Sequence, residues 1–150
     1  MLSKKAKYAL KALLVLTGEE GKGPVLISAI ARQEGIPKKF LEQILLELKK
    51  QGILQSQKGK GGGYLLGRPS HEIMMGQIVR IIDGPLAPLP CVSQTAYRKC
   101  AECRDETTCG IRMVMKEVRD STAKILDRIS MAEVLRNIKS SERFADSNAI

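Results

Sequence analysis

The stretch GIPKKFLEQILLELKKQGILQSQKGKGGGYLLGR (Gly35–Arg68) decides the fold. Leu41, Ile44, Leu45 and Leu48 recur at i, i+3, i+4 and i+7, which predicts an amphipathic helix with one stripe against a core. Pro37 suits the first turn, where a missing N–H costs nothing, and Gly52 suits the C-terminal stop. Behind the helix, Ile53-Leu54 and Tyr64-Leu65-Leu66 read as two short strands around a lysine-and-glycine tip. A helix followed at once by a basic hairpin is the reading half of a winged helix-turn-helix. The stripe leaves Lys38, Lys39, Glu42 and Gln43 on the opposite face. Gln can bond adenine bidentately, Glu can accept from cytosine, and Lys can reach guanine or a phosphate. An isolated helix with that face would simply be solvated. The wing behind it favours DNA.

At the tip, Lys58 and Lys60 alternate with Gly59, Gly61, Gly62 and Gly63. Glycines permit positive φ and let backbone approach a phosphate or a minor groove. The run is not a nucleotide-binding loop: it lacks the GxxxxGK[ST] spacing and the helix that would aim N–H groups at phosphates.

Charge supports the same half of the chain. The 150 residues carry a net charge of +9. Residues 1–70 hold 13 Lys+Arg against 5 Asp+Glu, whereas residues 71–150 hold 12 against 11. A basic surface confined to one half is the footprint of phosphate binding. Aromatics are only 3% of the chain, so the core must be aliphatic. No apolar run approaches the length of a membrane span. The N-terminal MLSKKAKYALKALLVL is read as a folded helix rather than a signal peptide, because Lys4, Lys7 and Lys11 recur on one face. A cytoplasmic location follows, with cysteines as thiols or metal ligands rather than disulfides.

In chain order, a first helix is expected over about Lys4–Thr17, with Ala9, Ala12, Leu13 and Leu16 inward and its lysines on the DNA backbone. A second, around Ser28–Gln33, buries Ile30 and Ala31 and turns through Glu34-Gly35-Ile36 into the reading helix. Ile73–Ile82 reads as a short helix with Ile78, Val79 and Ile82 inside. Three prolines then exclude regular structure over residues 83–90. One long helix is expected from about Cys109 to Ile138. Its seam of Ile111, Met115, Val118, Ile125 and Ile129 is long for so small a protein, so part of it should pack on a second subunit. Met113 and Met115 read as core fillers. His71, the lone histidine, lies in a polar connector and reads as solvated. The tail, residues 140–150, is polar and expected to fray.

The four cysteines fall within 19 residues, in CVSQTAYRKCAECRDETTC, with spacing C-x8-C-x2-C-x5-C. Such density in an intracellular chain points to a metal centre. Arg98, Lys99, Arg104 and Arg112 are expected to stabilise the thiolates. Three readings remain open: an iron–sulfur cluster, a zinc site, or bare thiols that switch by oxidation or do nothing.

Five pieces of the chain together resemble the Rrf-two family of bacterial winged-helix regulators. They are KYALKALLVL, IARQEGIPKKFLEQILLELKKQGIL, GGYLLGRP, IVRIIDGPL and CGIRMVMKEVRDSTAKILDRIS. The resemblance implies a homodimer crossed through long C-terminal helices and bound to an imperfect palindrome. It places Lys38, Lys39, Glu42 and Gln43 in the reading helix, and Gly61–Gly63 with Tyr64 in the wing. This chain departs at Gly61, where the family often has Lys, and at Leu65, commonly polar or basic. Cluster-binding members use three loop cysteines, which Cys91, Cys103 and Cys109 match, plus a variable fourth ligand. Where some members have a ligating His, this chain has Arg112; where another has an Asp, the position falls near Lys7. Both absences imply an all-cysteine site, in which Cys100 either supplies the fourth ligand or competes with Cys103 for the second place.

The expectation is therefore a mainly α protein with a small β-wing. Residues 1–83 form the winged helix-turn-helix domain, 84–109 a cysteine sensor loop, 110–139 a dimerisation helix and 140–150 a tail. Its function is that of a dimeric DNA-binding regulator carrying a [2Fe–2S] or [4Fe–4S] cluster. The alternative is a cofactor-free repressor controlled by a metabolite or partner protein, and a more distant one is a small iron–sulfur carrier. No catalytic constellation of nucleophile and base is present.

Overall fold

The computed structural model describes residues 2–147. Helix α1 spans Lys4–Gly18 and starts at Ser3, whose hydroxyl accepts the Ala6 N–H at 3.0 Å. Helix α2 (Ile27–Glu34) ends on Gly35, which takes φ +64° and turns the chain into α3 (Lys38–Lys50). That left-handed turn costs a glycine little and any β-carbon more. Gly52 (φ +72°) closes α3: its N–H reaches Lys49 O and the Ile53 N–H reaches Leu48 O, both at 3.0 Å. These paired bonds satisfy the orphan carbonyls of the last turn. Strands β1 (Leu54–Gln57) and β2 (Gly63–Leu66) then pair antiparallel, with Leu54 opposite Leu66 and Gln57 opposite Gly63.

The expected stripe is the core. Leu41, Ile44, Leu45 and Leu48 are fully buried against Ala9, Leu13 and Leu16 of α1, Ile30 of α2, and Ile53, Ile73 and Ile78. Tyr8 meets Phe40 edge-on, ring centroids 5.7 Å apart, which fixes α1 across α3. Ala31 and Ile82, expected inside, are half-buried. Helix α4 is shorter than anticipated, Met75–Asp83.

The single long C-terminal helix is not what forms. Helix α5 covers Gly110–Leu126, the chain breaks, and α6 covers Met131–Ser147. Three features make the break, one local and two tertiary. Ser130 and Glu133 form a reciprocal cap: Ser130 N–H donates to the Glu133 carboxylate at 3.0 Å and the Glu133 N–H to Ser130 Oγ at 3.2 Å. The break also docks on the winged domain, with Met75 N–H to Ile129 O at 3.0 Å and Met131 N–H to Ile73 O at 2.9 Å. Finally, Arg80 grips Asp127 bidentately at 2.6 and 2.9 Å. Gly76 makes that approach possible, since a β-carbon there would lie 2.1 Å from Asp127 Oδ1.

Because of the break, the two halves of the expected helix do different things. Helix α6 packs on α1 of its own winged domain through fully buried Met131. Helix α5 buries no residue. The tail expected from residue 140 is helical to Ser147, and residues 148–150 lie outside the described residues. Among the described residues no helix is long and apolar enough to cross a membrane.

Candidate nucleic-acid interface and cysteine loop

Helix α3 presents Lys38, Lys39, Glu42 and Gln43 to solvent, all exposed, on the side away from its buried stripe. Leu46, 46% exposed, lies on the same side. It is not singled out at the level of sequence, although its i+3 spacing from Gln43 takes it off the stripe. Lys58 and Lys60 are exposed at the wing tip.

Of the wing's glycines, Gly59 and Gly61 take the positive φ expected of the tip, whereas Gly62 and Gly63 pack against backbone of the protein itself. Gly63 takes φ +148°, and a β-carbon on it would sit 2.3 Å from Val25 O. Val25 and Tyr64 exchange both backbone hydrogen bonds at 2.8 Å, so the segment before α2 becomes a third partner of the wing. Gly62 is buried, its missing β-carbon replaced by Gln57 O. Close backbone approach is thus used to clamp the wing to α2, and Gly62 and Gly63 face protein. Tyr64 is half-buried and packs on the core.

The lysines of α1 also divide. Lys7 is exposed, and Lys4 lies 5.8 Å over the Tyr8 ring. Lys11 turns to the end of α2, with Nζ 3.4 Å from both the carbonyl and the carboxylate of Glu34. A cation there satisfies the last turn of α2, so DNA phosphates would have to compete for it. His71 is exposed, as expected.

The cysteine loop leaves α4 at Gly84, makes a 3-10 turn at Pro90–Val92 and enters α5 after Cys109. Cys91 is buried, and Cys100, Cys103 and Cys109 are half-buried, all as free thiols. They stand in two pairs. A hydrogen bond with Cys91, aided by burial, pushes the Cys100 thiol up. Burial, then the neighbouring Cys109, pushes the Cys103 thiol up. At Cys100 and Cys103 this runs against the expected stabilisation of thiolates by nearby cations: Lys99 lowers Cys103, but as the smallest of the influences on it. Arg112 is occupied elsewhere, with Nε 3.3 Å from Cys91 O and 3.8 Å from Glu106. Among the described residues, no three His, Cys, Asp or Glu side chains converge as a metal site requires. The donor set itself suits soft iron or zinc, being four thiols on one loop.

Two arginines of α5 clasp this loop from one helical face. Arg112 holds Cys91 O, and one turn-pair further on Arg119 donates to Val92 O at 2.5 Å. Tyr97 closes the far side by donating to Glu106 at 2.6 Å. A different face of α5 carries Ile111, Val114, Val118 and Ile125, which are 67%, 55%, 43% and 58% exposed.

A helix-turn-helix of α2 and α3, with β1 and β2 as wing, defines a winged-helix transcription regulator. Comparison with known proteins agrees and goes further. The model of the Rrf2 family, described as an iron-dependent transcriptional regulator, matches residues 2–137. An Rrf2-like helix-turn-helix regulator of Rhodobacter capsulatus is 44% identical over 138 residues, 90% of this chain and 92% of that one. The regulator IscR of Sodalis glossinidius is 30% identical over 136 residues, 91% of this chain and 79% of its own length. Among solved structures, CymR, the global cysteine regulator of B. subtilis, superposes with a TM-score of 0.77 at 26% identity, covering 91% of this chain and 97% of that one. IscR of T. potens superposes at 0.75 with 27% identity, covering 94% and 90%. The chain belongs to the Rrf2 family and is a transcriptional regulator, not an enzyme.

Proposed function

We propose that two copies of this chain, joined through α5, bind a pseudo-palindromic DNA duplex and answer to an iron–sulfur cluster held by the cysteine loop. The observation that carries the reading is the double role of α5. One face clasps the Cys91–Val92 backbone through Arg112 and Arg119, and another carries an apolar seam that the described residues of its own protomer leave 43% to 67% exposed. Any rearrangement of the cysteines is thereby passed to the helix that would set the spacing of two DNA-binding heads.

Lys38, Lys39, Glu42 and Gln43 of each copy enter the major groove, and Lys7, Lys58 and Lys60 hold phosphates on either side. Gly62, Gly63 and Tyr64 hold the wing rigid behind those contacts. Lys4 and Lys11 add positive potential while engaged with Tyr8 and Glu34. Cys91, Cys100, Cys103 and Cys109 would be the cluster's ligands, which requires the two thiol pairs to close on each other and lose their protons. When bound, the cluster supplies a redox-active centre that oxygen and nitric oxide attack. Only about 1–3 kcal/mol of bias between two loop arrangements is needed to change DNA affinity some 5- to 150-fold.

A second reading has its own observation. The thiols already stand in two pairs, Cys91 beside Cys100 and Cys103 beside Cys109, with the Cys100 and Cys103 thiols pushed up, an arrangement that suits a cofactor-free repressor controlled by a metabolite or partner protein. The test is selection of preferred duplexes from a random pool by anaerobically purified protein, with and without reconstitution by iron and sulfide. The cluster reading expects a two-fold symmetric site with half-sites about one turn apart, and affinity that depends on reconstitution. Selection of the same site with the same affinity in both forms would favour the second reading.

A further inference from the structure

We propose that Leu46 reads a thymine through its C5-methyl group and so sets part of this regulator's sequence preference, an inference that rests on α3 being the DNA-reading helix. Lys39, Glu42, Gln43 and Leu46 stand at i, i+3, i+4 and i+7, one continuous face of α3. Three are polar and exposed. The fourth is a leucine, 46% exposed, in the middle of a charged face.

The core does not account for it. Leu41, Ile44, Leu45 and Leu48 fill the buried stripe completely, each 0% exposed, and Leu46 is not among them. Along α3 its exposed neighbours at i−4, i−3, i+3 and i+4 are Glu42, Gln43, Lys49 and Lys50, so this helix face carries no apolar stripe of the kind seen on α5. Lys39, Glu42 and Gln43 surround it with groups that suit base edges and phosphates. In a major groove the one apolar feature on a base edge is the thymine methyl, and an aliphatic side chain is its natural complement. Three residues of helix rise about 4.5 Å, and base pairs are spaced about 3.4 Å. The thymine read by Leu46 therefore lies one or two base pairs from the base read by Gln43.

Leu46 is solvated in the protomer, so Leu46→Ala should fold with unchanged helicity. The experiment uses the full-length dimer and the duplex it selects. At each thymine of one half-site, uracil is substituted, which deletes the methyl and leaves every hydrogen-bonding group in place. At one thymine, wild type should lose about 4-fold in affinity, the worth of one apolar methyl. Leu46→Ala should bind the thymine duplex more weakly and no longer distinguish it from the uracil duplex. Both should bind random duplex alike. Undiminished thymine-over-uracil discrimination by Leu46→Ala, or equal weakening on both duplexes while the wild type is indifferent at every thymine, overturns the assignment and leaves the DNA reading intact. Failure of the wild type to select any duplex, with or without iron and sulfide, overturns both. Loss of the discrimination in Gln43→Ala but not in Leu46→Ala would move the methyl contact to Gln43.

Discussion

Replacing Val118 by aspartate tests the α5 seam without touching either the winged domain or the cysteines. Val118 is 43% exposed in the protomer, beside Ile111, Val114 and Ile125 at 67%, 55% and 58%. Burying a whole Val or Ile side chain stabilises by about 1.5–3 kcal/mol, so covering the exposed half contributes roughly 1 kcal/mol each. Four such side chains from each of two copies offer on the order of 8 kcal/mol, comparable with the cost of association. The dimer is thus sensitive to a single position. Val118→Asp removes about 2 kcal/mol of burial across both copies and adds at least as much again for desolvating two carboxylates. A loss of about 4 kcal/mol weakens the dimer roughly 1000-fold. Sedimentation velocity across a micromolar concentration series should show dimer for wild type and monomer for the variant, with helicity retained. Lys116→Ala, on the opposite face, should remain dimeric. Wild type sedimenting as a monomer at tens of micromolar, or a variant as dimeric as wild type, would refute the seam.

Gln43→Ala should cost about 1–3 kcal/mol of discrimination between the selected duplex and its point variants, whereas Lys60→Ala should weaken all duplexes alike and lower the salt slope by about 1; anisotropy titrations at several salt concentrations separate them. Gly63→Ala sets a β-carbon against Val25 O in a conformation few side chains adopt, and urea unfolding should show a loss of about 1–3 kcal/mol. Arg80 holds the Asp127 carboxyl below its ordinary value, and Ser70 does the same for Glu20. Both carboxylates therefore contribute stability above their unfolded pKa, and that contribution is lost as the pH falls through the lower folded value. Asp127→Asn should be less stable at neutral pH, by under about 1 kcal/mol because the pair is solvent-screened. The gap from wild type should close in acid.

The winged domain was legible because its signals are periodic and local. The stripe of α3, Gly35 and Gly52 as helix stops, and the hairpin each follow from spacing and backbone freedom. The C-terminal half was misread at Asp127–Ser130. There the seam's periodicity runs unbroken from α5 towards α6, and Ile129, four residues past Ile125, disguises the interruption. What breaks the helix is partly tertiary: the strand-like pairing with Ile73–Met75 and the Arg80 grip cannot be seen in one segment. The Ser130-x-x-Glu133 box, however, was visible in the sequence and would have found the α6 start. The glycines of the wing tip were correctly marked as permitting close approach, but spacing does not say what approaches. Likewise, spacing brought four cysteines to one loop and basic residues to their neighbourhood. It could not show that Arg112 would be spent on the Cys91 carbonyl and Glu106 instead of on a thiolate.

The central claim is that the cysteine loop senses through a cluster and transmits to DNA. Anaerobic purification followed by an ultraviolet–visible spectrum, iron and sulfide assays, and DNA titration on the same sample tests it most directly. The account predicts visible absorbance with stoichiometric iron and sulfide, lost together in Cys91→Ala, Cys103→Ala and Cys109→Ala. It predicts a 5- to 150-fold difference in DNA affinity, or about 1–3 kcal/mol, between cluster-bound and cluster-free protein. Cys100→Ala should lose the absorbance too if the fourth ligand is a thiolate. A colourless anaerobic protein, whose DNA affinity is unchanged after reconstitution with iron and sulfide, would contradict the claim.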